Sequence, residues 1–207
     1  MNRVSTKPGW AVHGVVPFAG GSAPRLRASP HVQAVAFGAL AALVSEPREE
    51  SPVDRALRHD RIVHRAILRH GSVVPFRAGT VLESVEAVVQ LLDTNTGLML
   101  LQLARFAQRV EMGLKAALDP AVTTAMDRQL FDHWVARTLS PMADERREHV
   151  KDVGSAAIFD AVYLMRLERV TDFCAAVREG RGRHPSVPVV VTGPWAPYSF
   201  CEFALSV

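Results

Sequence analysis

Hydrophobic positions along this chain switch between the period of a strand and that of a helix, and each switch marks an element. Trp10 to Phe18 is rich in Val and lies between Pro8-Gly9 and Gly20-Gly21, which predicts a first strand. Gly20 to Pro30 is expected to be a loop. Val32 to Phe37 and Leu40 to Ser45 flank Gly38. They fit two strands around a turn, or a strand and a short helix, because Ala39, Ala41 and Ala42 favour helix. Ser51-Pro52-Val53-Asp54 is a helix start: Ser51 can cap, Pro52 suits the first helical position and Asp54 completes a capping box. Val53, Ala56, Leu57, Val63, Ala66 and Ile67 form one apolar stripe towards His70, and Gly71 stops the helix. Ser72 to Phe76 reads as a short strand and Arg77 to Thr80 as a turn. Helices are predicted over Leu82 to Leu92 and Leu98 to Ala107.

Arg109 to Leu118 has the clearest strand pattern. Val110, Met112, Leu114 and Ala116 alternate with Glu111, Gly113 and Lys115, giving one apolar and one polar face. Val122 to Val150 reads as mostly helical, broken near Ser140-Pro141 because proline lacks the N–H donor. Ala157 to Leu167 is then a strand, Glu168 to Glu179 a helix, Gly180 to Pro185 a turn and Val187 to Thr192 a last strand. The order is β-β-α-β-α-α followed by β-α-β-α-β, an α+β pattern in two halves. An N-terminal α+β domain is expected over 1–107. A C-terminal α+β domain is expected over 108–207, as a modified or reduced ferredoxin-like arrangement with an ordered aromatic tail over 193–207.

Composition narrows the function classes. Of the residues, 48% are hydrophobic and 22% charged, enough apolar material for a core. The net charge is only +3, and arginine outnumbers lysine 21 to 3. Arg178, Arg181 and Arg183 form the one tight basic cluster; without interleaved aromatics it reads as a solvated turn, and no nucleic-acid partner is expected. The start of the chain lacks the apolar run of a signal peptide. Val32 to Val44 is too short and too interrupted to span a bilayer, so no lipid membrane is expected either. Cys174 and Cys201 are too few for a disulfide framework or a thiolate metal site, which fits a cytoplasmic protein with reduced thiols.

The chemistry-bearing residues are sparse. No nucleophile elbow, phosphate loop, dinucleotide fingerprint or His-Glu-x-x-His occurs. His59, Asp60 and His64 lie in the first long helix, and Asp60 and His64 share a face at i, i+4. They could bind a metal or share a proton, or they are an ordinary surface pair. Glu111 and Lys115 read as a surface charge pair and Cys174 as a buried small hydrophobe. Arg77, between Pro75-Phe76 and Gly79, either ties two segments together or is solvated.

The end of the chain is distinctive. Thr192-Gly193-Pro194-Trp195-Ala196-Pro197-Tyr198-Ser199-Phe200 follows an apolar run and joins two prolines and three aromatics. It resembles the Thr-Gly-Pro-Trp-x-Pro-Tyr-x-Phe motif that closes the gas vesicle accessory proteins of the F/L type. Other segments resemble that family in the same order. They are Trp10 to Val16, Leu40 to Ser45, Leu57 to Asp60, Val73 to Val81 and Arg109 to Lys115. Ala78 and Leu82 stand where the family has aromatics, and the stretch between Leu118 and Ala157 is short for it.

The resemblance implies two α+β domains, no enzymatic activity and no cofactor. It implies an accessory role in building the gas vesicle, with the small hydrophobic shell protein and other gas vesicle accessory proteins as partners. Trp195, Pro197, Tyr198 and Phe200 are then candidate structural or interaction residues, beside Arg77. They would either grip the shell protein or, as the favoured reading, fasten the tail to its own chain, since the prolines fix its path. The residues alone leave a second reading open: a small-molecule- or metal-binding α+β domain, or a diverged enzyme, using the His59/Asp60/His64 face.

Overall fold

The computed structural model describes residues 9–20, 31–153 and 156–202. The expected loop after Gly20 and the tail beyond Glu202 lie outside the described residues. The chain divides into two compact units, one of Met1–Gln108 with Cys201–Val207, the other of Arg109–Phe200. The end of the tail, assigned to the second half from sequence, thus belongs from Cys201 onward to the first unit.

The first unit is built on an antiparallel sheet of β1 (Trp10–Pro17), β2 (Val32–Phe37), β3 (Leu40–Ser45), β4 (Val74–Pro75) and β5 (Val81–Leu82). The order is β2-β3-β1-β4, and β5 pairs with the start of β1. Of the two sequence readings for Leu40 to Ser45, the strand holds. All six residues are buried, and cross-strand packing outweighs the helical preference of three alanines. Among the described residues three helices complete the unit: α1 (Pro52–His70), α2 (Val85–Thr94) and α3 (Thr96–Arg105). α1 starts and stops where its caps dictate. Ser51 accepts the Asp54 N–H, and Gly71 ends the helix at φ 72°. The Asp54 carboxylate accepts the Ser51 hydroxyl, so the expected box is closed through side chains. α2 begins three residues later than its apolar pattern suggested, because the Ser84 hydroxyl caps Ala87 and frees Val81–Leu82 for the sheet.

β1 carries a bulge that decides what faces inward. Val12 pairs with Val44 and Gly14 with Leu43, so His13 is the extra residue. The bulge shifts the alternation by one, which puts Val12 and Val15 into the same core with Val74, Val88, Leu92 and Met99.

The second unit contains β6 (Arg109–Leu118), α4 (Ala125–Trp134), β7 (Glu145–Val153), β8 (Ala156–Arg166), α5 (Val170–Arg183) and β9 (Val189–Trp195). A π-helical turn (Val135–Leu139) and a 3-10 turn at Ser140-Pro141 end α4, where the proline break was expected. The sheet order is β7-β8-β6-β9, with every pairing antiparallel. Met112, Leu114, Phe131, Trp134, Phe159 and Tyr163 form its core with Phe173 and Val177 of α5.

Two expectations fail here. Residues 145–153 form a strand, where helix was expected up to Val150. Glu145 to His149 has helix-forming side chains and no alternation, but β7 is an edge strand paired with β8 along its length, and charged residues suit an edge. Gly180 to Arg183 is the last turn of α5, where a loop was expected from its two glycines. Gly180 is needed for packing: a Cβ there would collide with the Trp134 ring.

Candidate functional site

The aromatic tail is fastened to the second unit by a buried carboxylate. β9 runs on through Gly193-Pro194-Trp195, three residues past the expected end of the strand. Glu111 pairs with Trp195 and Gly113 with Thr192, so β9 bulges at Gly193-Pro194. Gly193 is required twice over. Its φ is +111°, and a Cβ would come 2.8 Å from the Glu111 carbonyl oxygen. Beyond the strand, Tyr198 to Phe200 makes one 3-10 turn, and Ser199 donates its N–H and its hydroxyl to the two Glu111 carboxylate oxygens, each at 2.8 Å. Arg147 of β7 donates to the Ser199 carbonyl at 2.7 Å and lies over the Phe200 ring. Glu111 is 6% exposed, and burial raises its pKa against the pull of Ser199 and Arg147.

The tail residues therefore divide. Pro197 and Phe200 are buried, Tyr198 is half-buried and Trp195 is 40% exposed. Glu111 and Lys115, read from sequence as a charge pair, have separate partners: Lys115 pairs with Asp160 directly across on β8, at 3.1 Å. Arg77 is exposed, and its main-chain carbonyl closes the turn by accepting the Thr80 N–H and hydroxyl. Cys174 packs against the second core, and Cys201 against the first.

The histidines form a different arrangement from the expected helix face. His59 points into the first unit, away from the half-buried Asp60 and His64. Its Nδ1 lies 3.1 Å from Nδ1 of His13, the bulged residue of β1, and His13 Nε2 lies 2.9 Å from the Ser45 hydroxyl. Arg58 also reaches that hydroxyl, at 3.2 Å, while its remaining nitrogens grip the Glu50 carboxylate. Arginine can only donate, so the Ser45 oxygen accepts from it. His13 thus joins Ser45 to His59, and Glu50, Arg58, Ser45, His13 and His59 form one connected series. Burial, helped by Arg58, drives the His13 pKa down to about 3 and lowers that of His59, so both rings are neutral at neutral pH. Among the described residues, no group of three or more His, Cys, Asp or Glu could hold a metal ion.

Sequence reasoning missed His13, Ser45, Ser199 and Arg147. The visible signals were slight: a histidine inside a Val-rich strand, and a lone carboxylate among apolar residues at Glu111.

Relatives exist for both sequence and fold. Gas vesicle protein F2 of Halobacterium salinarum is 28% identical over 173 residues, covering 81% of this chain and 79% of the relative. The crystal structure of the gas vesicle protein GvpF from an Anabaena species superposes with a TM-score of 0.75 at 20% identity, covering 95% of this chain and 97% of the other. That of GvpF from Microcystis aeruginosa gives 0.77 at 17% identity, over 95% of this chain and 100% of the other. At that identity the structures speak for the fold, a mixed α+β architecture with two antiparallel sheets. The family described as gas vesicle synthesis protein GvpL/GvpF matches residues 12–133 and 129–202. Those two matches together run through both units, and the chain belongs to that family.

Proposed function

We propose that this chain is a non-enzymatic accessory protein of gas vesicle assembly. It works in the cytoplasm and at the vesicle, with the small hydrophobic shell protein and other gas vesicle accessory proteins as partners. The observation that carries this reading is the family match through residues 12–133 and 129–202. Among the described residues no helix is long and apolar enough to cross a membrane.

A shell subunit that must line a gas-facing wall exposes apolar surface before assembly, and such surface aggregates in water unless covered. A protein that covers it needs exposed apolar residues of its own. Val122, in the turn before α4, is 64% exposed, and Met126 and Leu130, one turn apart on α4, are 63% and 51% exposed. This row is the proposed docking surface. The tail holds the protein's own second unit through Pro197, Tyr198 and Phe200 and leaves Trp195, 40% exposed, available to a partner. Arg77 remains a candidate contact on an exposed turn.

Co-expression of the full chain with the shell protein tests the reading. A soluble complex is expected, and Val122→Ser, Met126→Ser and Leu130→Ser combined should abolish co-purification without shifting the melting temperature. If the triple variant captures the shell protein normally, the surface is misplaced. If the wild-type chain forms no complex with it, the shell-binding role fails.

A further inference from the structure

The first unit contains a cavity of about 190 Å³ beside β1 and the first turns of α1, lined by Arg48, Arg55, Arg58, Glu50, His13 and His59 among others. Its charge is lopsided. Among the described residues Glu50 is the only carboxylate lining it, and Glu50 is engaged by Arg58, with Arg58 Nη2 at 2.6 Å from Oε1. The neighbouring acidic residues Glu46 and Glu49 do not line it. The imidazoles are neutral, held so by burial. Arg48 and Arg55 thus bring two positive charges that no lining carboxylate balances.

Arg55 is also held in place. Its Nη2 donates to the Glu50 carbonyl at 3.4 Å. Its guanidinium lies against the turn at Gly79, where φ is +92° and a Cβ would sit 3.7 Å from Nη1. A guanidinium fixed by its surroundings loses less side-chain freedom on binding than a solvated one, and its planar fork matches the paired oxygens of carboxylate or phosphate.

Size limits the ligand. At about 30 Å³ per water, the cavity has the room of roughly six waters. Pockets for drug-sized ligands and cofactors run to about 300–1,000 Å³. The cavity therefore has room for one charged group of a ligand. Among the described residues its lining holds no Phe, Tyr or Trp.

We propose that this cavity is a binding site for a single oxyanion group, a carboxylate or a phosphate, clamped by Arg48 and Arg55. Arg58 and His13 form its inner wall, and Arg58 does not take the ligand because its donors are committed to Ser45 and Glu50. The proposal is independent of the shell-binding role.

The test is titration of the full chain with inorganic phosphate and, separately, with acetate. Amide chemical shifts are followed at low, constant ionic strength, with chloride as the comparator. Saturable shifts at Arg55 and Gly79 are expected with at least one of the two anions and not with chloride. Arg55→Ala should weaken binding at least tenfold, Arg48→Ala should weaken it less, and Arg55→Lys should fall between wild type and Arg55→Ala. Arg181→Ala, in the other unit, makes the same change in net charge and should leave binding intact. Phosphate-only or acetate-only saturation identifies the anion. Shifts that never saturate, or an Arg181→Ala loss equal to that of Arg55→Ala, would overturn the site.

Discussion

Glu111 permits a sharp test of what holds the tail, because the two obvious substitutions should differ in sign. Its carboxylate accepts two hydrogen bonds from Ser199 and is almost wholly buried. Burial is the largest influence on its pKa and raises it. Glu111→Ala removes both acceptors. The Ser199 hydroxyl can turn elsewhere, but its N–H is fixed by the 3-10 turn and is left unmatched, a cost of about 1–3 kcal/mol. Relief of the buried charge offsets part of that, so the net loss belongs in the lower half of the range. Glu111→Gln keeps the shape: its carbonyl oxygen accepts the Ser199 N–H and its amide donates to the Ser199 oxygen. It also removes a charge that burial penalises, so it should be neutral or mildly stabilising at neutral pH.

The pH dependence follows with its sign. A folded pKa raised above the usual 4.5 means the folded chain binds the proton more tightly than the unfolded one. Wild-type stability therefore declines as pH rises from about 4.5 through the folded value, relative to the glutamine variant, and the two converge below that window. Hydrogen exchange of the amides from Trp195 to Glu202, in the full chain, is the local assay. Glu111→Ala should speed it by up to about 30-fold and Glu111→Gln should not. If the glutamine variant opens the tail as much as the alanine variant, the negative charge, acting through Arg147, holds the tail and the argument from hydrogen bonding fails.

Further outcomes rest on single contacts. Phe200→Ala empties a fully buried position and should cost about 3–5 kcal/mol by urea unfolding, whereas Trp195→Ala should cost less than about 1 kcal/mol; comparable losses would contradict the division of the tail. Gly193→Ala meets both a positive φ and the Glu111 carbonyl, so its melting temperature should drop by more than that of Gly182→Ala, where a Cβ meets nothing within 4 Å. His13 has a folded pKa of about 3 against 6.5 unfolded, so the unfolded chain takes up the proton first and the stability contributed by the neutral ring is lost as pH falls from about 6.5. Each pH unit in that window costs about 1.4 kcal/mol, and His13→Gln should flatten the decline measured by urea unfolding between pH 7 and 4.5.

The elements legible from sequence were those whose signals are local. Ser51, Pro52 and Gly71 mark α1 because caps act within one turn, and β6 shows its two faces because Met112, Leu114, Ala116 and Leu118 alternate into one hydrophobic core. β7 was misread because its partner lies eleven or more residues along at most of its length, from Glu145 opposite Leu164 to Val153 opposite Ala156, and the charges that suit an edge also favour a helix. Gly180 was read as punctuation, since nothing nearby in sequence announces that the Trp134 ring will occupy the space of its missing side chain.

The same reasoning explains why the tail could be recognised but its attachment could not. Gly193, Pro194 and Pro197 constrain the backbone wherever they occur, so the odd path of the tail is written in the tail itself. Its anchor, Glu111, lies 88 residues before Ser199 and is one carboxylate in an alternating strand, with nothing to separate it from Lys115 two steps along the same face. His13 is hidden for a related reason. Strict alternation along β1 cannot place both Val12 and Val15 in one core, so a reading by period must misplace one of them. The bulge at His13 resolves that conflict, and it also brings the imidazole to His59 and to the wall of the arginine-lined cavity. A one-residue irregularity in pairing therefore sets both the core of the first unit and the back of its candidate anion site. A variant that removes the bulge by deleting His13 should disturb the two together.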